Sequence, residues 1–515
     1  MNTTPPHSRI STSWNIFFNL LSQAIILGTA FLTTPYIVNK LGAEAYGVVI
    51  LIGIFLGYLG LLDFGLSGAL TRYLTECTAM GDQERFRRIF WSSLIVYALI
   101  SVAGGGLFML ATPTLVSSFL KIPPNLHGPA VIAFFIGAGS FMINLLLQLF
   151  QAILWAYHRV DLAALIALIM GAVQPIMAVI AIFLGYGLVG VSAATFFTSL
   201  STFILVVWLV TRLHRSWGQP VWDTPSLKTL FRYGGWLTIA QIAIQGATSL
   251  DKIFMGRYLS SAMVGYYNLS VTIPLKLWII YGAFASSAFP LLVSLHAQKA
   301  SSVEVFRLML RFARSIQLLL APLVVFFIFF GGLFLHIWIN ERAAHYGRLS
   351  MSLASLSMLL AGMNAILHIA VRAWERADLS AKAYLGAALI YIPMLYLLVK
   401  QVGIAGAALC SFLYAATELF LLLVFIRGLL QVPISAWLTL ILNRHLLILA
   451  AVGLGTTLLQ PLLPWTPLWK LLVLGGTYLL FSWAYVWFIG FSREERQSIL
   501  RMLLSRFGRE SAGSS

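Results

Sequence analysis

Charge is scarce in this sequence. Only 10% of its 515 residues are Asp, Glu, Lys or Arg, while 60% are hydrophobic. A water-soluble chain of this length must cover its surface with polar groups, and too few are present, so most of the surface must face lipid. Cysteine is nearly missing: Cys77 lies in a charged segment and Cys410 in an apolar one, which excludes a disulfide framework. There is no Gly-x-x-x-x-Gly-Lys-[Ser/Thr] loop and no polar segment long enough to form a nucleotide-binding domain. Direct ATP hydrolysis is thereby excluded. The period-2 alternation of a membrane β-barrel is also lacking. No cofactor or metal site is expected. What the chain does have is apolar runs about 20 residues long, the length of a membrane-spanning helix.

Such runs fall near 14–37, 47–70, 89–112, 129–154, 162–184, 188–210, 233–256, 264–292, 312–338, 348–370, 381–399, 404–426, 446–463 and 468–491. The sequence therefore predicts an all-α membrane protein with about fourteen transmembrane helices. The first run, Trp14 to Val38, is too long for a signal-peptide core and is read as a retained helix. With the N-terminus placed in the cytoplasm, 24 of the 33 Lys and Arg residues fall in inner segments and 7 in outer ones. Lys252 and Lys276 lie within helices. That bias predicts both termini in the cytoplasm of a bacterial inner membrane. It also accounts for the formal charge of +17 without nucleic acid. Thr224 and Pro225 read as the start of a short interfacial helix, with Leu227, Leu230 and Phe231 on one face. The tail from Ser492 opens with a Ser-x-x-Glu capping box closed by Glu495, after which Ile499, Leu503 and Phe507 share one face.

The chain repeats itself. Arg159-Val-Asp161-Leu162 returns as Arg376-Ala-Asp378-Leu379, and Gly187-Leu-Val-Gly190 as Gly403-Ile-Ala-Gly406. Pro175 matches Pro393, and Glu84-x-Phe86-Arg87 matches Glu304-x-Phe306-Arg307. The offset of about six helices is even, so both copies share one orientation, a parallel repeat of two lobes. The expected organisation is an N-lobe over 1–211 (helices 1–6), a cytoplasmic linker over 212–232 and a C-lobe over 233–427 (helices 7–12). Helices 13–14 follow over 428–491, and a cytoplasmic amphipathic tail over 492–515. A site between the lobes and alternating access by rocking follow from that organisation.

The run Thr34-Pro35-Tyr36-Ile37-Val38-Asn39-Lys40-Leu41-Gly42-Ala43-Glu44-Ala45-Tyr46-Gly47 is distinctive. So are Gly60-Leu61-Leu62-Asp63-Phe64-Gly65-Leu66, Leu250-Asp251-Lys252-Ile253 and Gly265-Tyr266-Tyr267. With these motifs the chain resembles the polysaccharide-transport family, the O-antigen type of flippase, within the multidrug/oligosaccharidyl-lipid/polysaccharide exporter superfamily. The resemblance implies an undecaprenyl-diphosphate-linked oligosaccharide as cargo, carried from the inner to the outer leaflet for surface polysaccharide assembly. It implies a polar, often cationic cavity for the head while the lipid tail stays among membrane lipid. Other surface-polysaccharide assembly proteins are potential partners.

Ionisable groups inside spanning helices are costly, which makes each a candidate for function. Lys276, about 18 Å into the eighth run, is a candidate counter-charge for diphosphate or a structural partner of Glu418. Pro274 just before it should open the helix ladder. Lys252 is a second cationic candidate, although it also reads as a snorkelling lysine. Adjacent Asp251 and Lys252 diverge by about 100° on a helix, so they are not expected to pair. Asp63, Asp251 and Glu418 are candidates to take up a proton or cation in one access state. Gln241 with Gln245, and Asn144 with Gln148, lie one turn apart and present polar stripes suited to sugar hydroxyls or to interhelical hydrogen bonds. Three alternatives stand beside the flippase reading. A cation-coupled multidrug antiporter or a lipid II flippase would use the same fold. A polysaccharide polymerase or ligase would need a long outer loop with an acid–base cluster, whereas His127 and His345 stand singly.

Overall fold

A computed structural model describes residues 12–214, 217–430, 444–493 and 495–497, with most side chains described from Leu21 onward. Among these residues there are helices and turns and no strand. Eleven helical stretches are long and apolar enough to cross a membrane, and a twelfth if the bent pair Ser261–Gly282 and Ser287–Ala297 counts as one. The chain is a multi-pass membrane protein. Its described residues fall into two compact units, within Met1–Gly265 and within Tyr266–Ser515.

The first unit is built from α1 (Thr12–Leu41), α2 (Ala43–Leu59), α3 (Leu66–Met80), α4 (Gln83–Thr114), α5 (His127–Ala156), α6 (Val160–Leu168), α7 (Gln174–Phe183), α8 (Gly187–Leu213) and α9 (Thr224–Tyr258). A π-turn over Ile169–Val173 joins α6 to α7, so the two make one span just before Pro175 removes a backbone donor. Its core gathers Leu70 and Leu74 of α3, Phe90 and Tyr97 of α4, Leu149 and Ile153 of α5, Val206 of α8 and Leu230 of α9.

Two expectations need correction here. The second span ends at Asp63 rather than continuing to residue 70. Phe64 and Gly65 both take left-handed backbone, φ 50° and 66°, which breaks the helix before α3 begins. Thr224–Pro225 do not open a separate interfacial helix either. They begin the continuous 35-residue α9, whose cap is Asp223, accepting from the Ser226 N–H at 3.0 Å. Residues 217–223 are tied down on α4: Trp91 donates to the Trp217 carbonyl, and the Asp223 N–H donates to Ser92 Oγ.

The second unit holds α10 (Ser261–Lys276, which begins just before the boundary), α11 (Trp278–Ala297), α12 (Ser302–Trp338), α13 (Glu341–Ala373), α14 (Ala377–Val402) and α15 (Ile404–Leu430). The helix Arg444–Leu458 and the span Pro467–Gly490 follow. Here α12 is central. One of its faces meets α13 through Met309, Ile316, Leu359 and Ile366, and another meets the C-terminal helices through Phe326, Phe330, Leu449 and Tyr478.

Each copied motif folds alike in its own unit. Arg159 donates to Asp161 from Nε and Nη2, one guanidinium edge, at 2.9 and 2.7 Å, and Arg376 donates to Asp378 the same way at 2.9 and 3.1 Å. The residue before each arginine, His158 and Glu375, has positive φ without being glycine. Gly81 and Lys299 likewise carry positive φ ahead of α4 and α12. Ser492 and Glu495 make the reciprocal capping box, at 2.7 and 3.2 Å, whereas Ile499, Leu503 and Phe507 lie outside the described residues.

Candidate functional site

The candidate residues fall on two buried polar centres and one helix face. The face belongs to α9, which packs on α2, α3 and α4 of the first unit. Near its C-terminal end Asp251 and Lys252 are both buried, at 4% and 7% exposure. The Lys252 ammonium lies 3.2 Å from Asp251 Oδ1, and the Lys252 N–H donates to the same oxygen at 2.8 Å. The expectation that these neighbours would not pair is therefore wrong. The long, flexible lysine stem lets the ammonium reach the neighbouring carboxylate, and in the bundle interior an ammonium without a carboxylate would be costly. One and a half turns earlier, Gln245 donates to Ser249 at 3.3 Å, its carbonyl accepts from the Tyr58 hydroxyl, and Gln241 is exposed. Asp251 also lies within electrostatic reach of Tyr58. One side of α9 thus presents amide, hydroxyl and an ion pair to α2.

Both ends of α9 are fastened to the first unit. At the C-terminal end, the Arg257 guanidinium donates to the Ser118 and Phe119 carbonyls at 2.7 and 2.9 Å. Lys121 donates from its ammonium to the Tyr258 carbonyl at 2.7 Å and from its N–H to the Gly256 carbonyl at 2.8 Å. Toward the other end, Gly234 lies against Gly65 with no room for a Cβ on either, and Arg72 sits over the Tyr233 ring at 4.8 Å.

The first buried centre is Asp63, at the break between α2 and α3. Its carboxylate accepts from the Tyr97 hydroxyl and from the Ser67 hydroxyl and N–H, the last two at 2.8 and 3.2 Å. The carboxylate holds the first turn of α3 and ties it to α4.

The second centre is in the other unit and includes a residue that sequence reasoning missed. Glu418 of α15 accepts at Oε1 from His368 Nε2 of α13, 2.8 Å away, and at Oε2 from the Asn364 amide at 2.8 Å. His368 Nδ1 faces Ser380 Oγ of α14 at 2.9 Å, and the Tyr384 ring stacks on the imidazole at 4.3 Å. All four hydrogen-bonded residues are buried. Asn364, His368 and Arg372 recur every fourth residue on α13, and that polar stripe was the available signal.

The remaining candidates separate. Lys276 is exposed at the end of α10, where the helix breaks before Trp278, and Glu418 takes His368 and Asn364 as partners instead of it. Asn144 donates to the Ser140 carbonyl and to Ser199 Oγ of α8 at 3.0 Å, an interhelical tie, and Gln148 is half-buried one turn on. No cluster of three or more His, Cys, Asp or Glu suited to a metal occurs among the described residues.

Comparison with known proteins places this geometry. A putative O-antigen transporter of Shigella flexneri is 24% identical over 400 residues, 77% of this chain and 93% of that protein. A probable flippase, AglR, of Haloferax volcanii is 25% identical over 263 residues, 51% of each chain. Among solved structures, lipid II flippase MurJ in its inward closed conformation matches with a TM-score of 0.70 at 15% identity, over 92% of this chain and 99% of that one. An inward-facing multidrug resistance transporter of the MATE family matches with a TM-score of 0.68 at 14% identity, over 80% and 98%. The fold is therefore that of these transporters. Residues 41–342 match the family described as polysaccharide biosynthesis protein. The chain belongs to that family.

Proposed function

We propose that this protein is a flippase that carries a polyprenyl-diphosphate-linked oligosaccharide from the inner to the outer leaflet by alternating access. The observation that carries the reading is the family match, joined to a polar face of α9 in a chain otherwise made of apolar spans. In this reading fourteen helices cross a bacterial inner membrane, both termini lie in the cytoplasm, and two six-helix lobes rock against each other. Lys252, with Asp251 beside it, and Gln241 and Gln245 face the passing head group. Asn144 and Gln148 contribute a weaker polar stripe, and Lys276 attracts the diphosphate from its exposed position at the α10 break. Asp63, Asp251 and Glu418 are the acids available for ion coupling. A diphosphate carrying about two negative charges gains roughly 4–5 kcal/mol per 100 mV on leaving a negative cytoplasm, so outward transport is driven without ATP.

The test is depletion of the protein in its own cells, followed by analysis of the inner-leaflet polyprenyl-diphosphate pool. Accumulation of a lipid-linked oligosaccharide, relieved by re-expression, is expected. Accumulation of lipid II instead would identify a lipid II flippase. Sensitivity to cationic drugs without any accumulation would overturn the flippase reading in favour of a drug antiporter.

A further inference from the structure

We propose that His368 and Glu418 form a proton-binding site inside the second unit, whose occupancy switches the buried charge between one negative and none and couples transport to pH. The hydrogen-bond geometry carries this. With Glu418 ionised and His368 neutral, the imidazole donates from Nε2 to Glu418 Oε1, and Nδ1 accepts from the Ser380 hydroxyl. Adding one proton at Nδ1 makes the imidazole a double donor. The Ser380 hydroxyl then rotates to accept, which a hydroxyl can do and an amide N–H cannot. The Asn364 amide donates to the other carboxylate oxygen in both states. Neither state leaves a member of the pair unsatisfied, so the two differ chiefly in charge.

The surroundings make that charge matter. Tyr384 of α14, stacked on His368, and Tyr414 of α15, packed on Tyr391, both lie within electrostatic reach of Glu418. From α13 itself Arg372 is exposed and directs Nε to the His368 carbonyl at 3.1 Å. Asp378 of α14 is engaged by Arg376 and Lys382 at the surface. On α11, Tyr281 donates to the Met358 carbonyl and His296 packs on Trp374, and on α12 Arg314 reaches the Gly490 carbonyl. Beyond Arg372 no cation in this set lies against the pair, so the deprotonated form holds a carboxylate in apolar packing. That form favours an arrangement in which water reaches Glu418, and the protonated form favours the closed packing seen here. Water is near: His368 lies five residues from the end of α13, about 7–8 Å, and Ser380 sits in the first turn of α14. The pair thus exchanges protons with the compartment at the Arg372–Lys382 end, and helix opening there follows its occupancy.

The pH coupling rests on the flippase reading, whereas the proton site itself does not, and the experiment separates them. The full chain, labelled with 15N-histidine, is titrated by NMR. The imidazole of residue 368 is identified among nine histidines by its ring contact with Tyr384 and by its loss in His368→Gln. Protonation of that imidazole within the titrated pH range is expected, and Glu418→Gln should lower its proton affinity by at least about tenfold. In liposomes, flipping of a fluorescent polyprenyl-diphosphate monosaccharide should change by about tenfold across the same pH range, and by less than about twofold in either variant. An imidazole that never titrates, or an undiminished pH response in folded His368→Gln, would overturn the proposal. If both variants misfold, the wild-type titration alone decides the site. If the imidazole titrates while the wild type flips no probe, the flippase reading fails and the proton site stands.

Discussion

Asp63 shows what a buried carboxylate does when all its neighbours donate. Replacing it with Ala leaves the Tyr97 hydroxyl and the Ser67 hydroxyl and N–H without an acceptor in a buried place. The expected cost is about 1–3 kcal/mol, read as a lower midpoint of thermal unfolding in detergent, with Asp63→Asn losing less because one acceptor survives. An unchanged midpoint for Asp63→Ala would refute the tie between α3 and α4. The two cysteines give a second residue-level expectation. Cys77 is 1% exposed and burial pushes its thiol up, and Cys410 is equally enclosed. Little Cys77 thiolate forms at neutral pH and both sulfurs are shielded, so maleimide should label the folded protein slowly and both sites rapidly in denaturant. Fast labelling of the folded chain would contradict the burial. The sequence singled out Asp63 and Glu418 as isolated acids at spanning depth, and both are buried polar centres. It could not supply their partners, because His368 and Glu418 are 50 residues apart and meet only through helix packing.

At the scale of elements, helix positions were legible and helix breaks were not. Hydropathy located the runs because lipid imposes a length on every span. It says nothing of φ, so the break at Phe64–Gly65 and the unbroken passage of α9 from Thr224 through the expected linker emerged only from the backbone. The glycines at that break also carry a prediction. Gly65 has φ 66°, and a Cβ there would meet the Gly234 backbone. Gly65→Ala should therefore disfavour closure of this end of α9 on the first unit. A cysteine placed at Thr238 should react with a water-soluble maleimide several-fold faster in that background. At the opposite end, Arg257→Ala removes two donors to the Ser118 and Phe119 carbonyls, and accessibility should rise there instead. Equal changes at both ends in either variant would mean that α9 loosens as a whole and that the two fastenings are not separate gates.

At the scale of the whole molecule, four short motifs recur along the sequence, and the backbone carries the likeness of two of them further. His158 and Glu375 share positive φ although neither is glycine, and each precedes an Arg–Asp clasp at the start of a helix. Side-chain identity at these turns has drifted while the turn itself has not, which explains why sequence matching caught the clasp and missed the turn. In the proposed arrangement two copies of one orientation give the molecule a distinct inside and outside, and the asymmetry of its Lys and Arg residues gives it a direction. Direction has a measurable electrical consequence. In liposomes with an imposed potential, the compartment made negative should lose a diphosphate-bearing probe, with each 100 mV worth roughly 4–5 kcal/mol for about two charges moved. An otherwise identical polyprenyl sugar without phosphates should redistribute without regard to voltage. If the charged probe also ignored the potential, its phosphates would be crossing with compensating cations, and the single proton held by the His368–Glu418 pair would offset only one of the roughly two charges exported, so a second cation would have to cross with each probe.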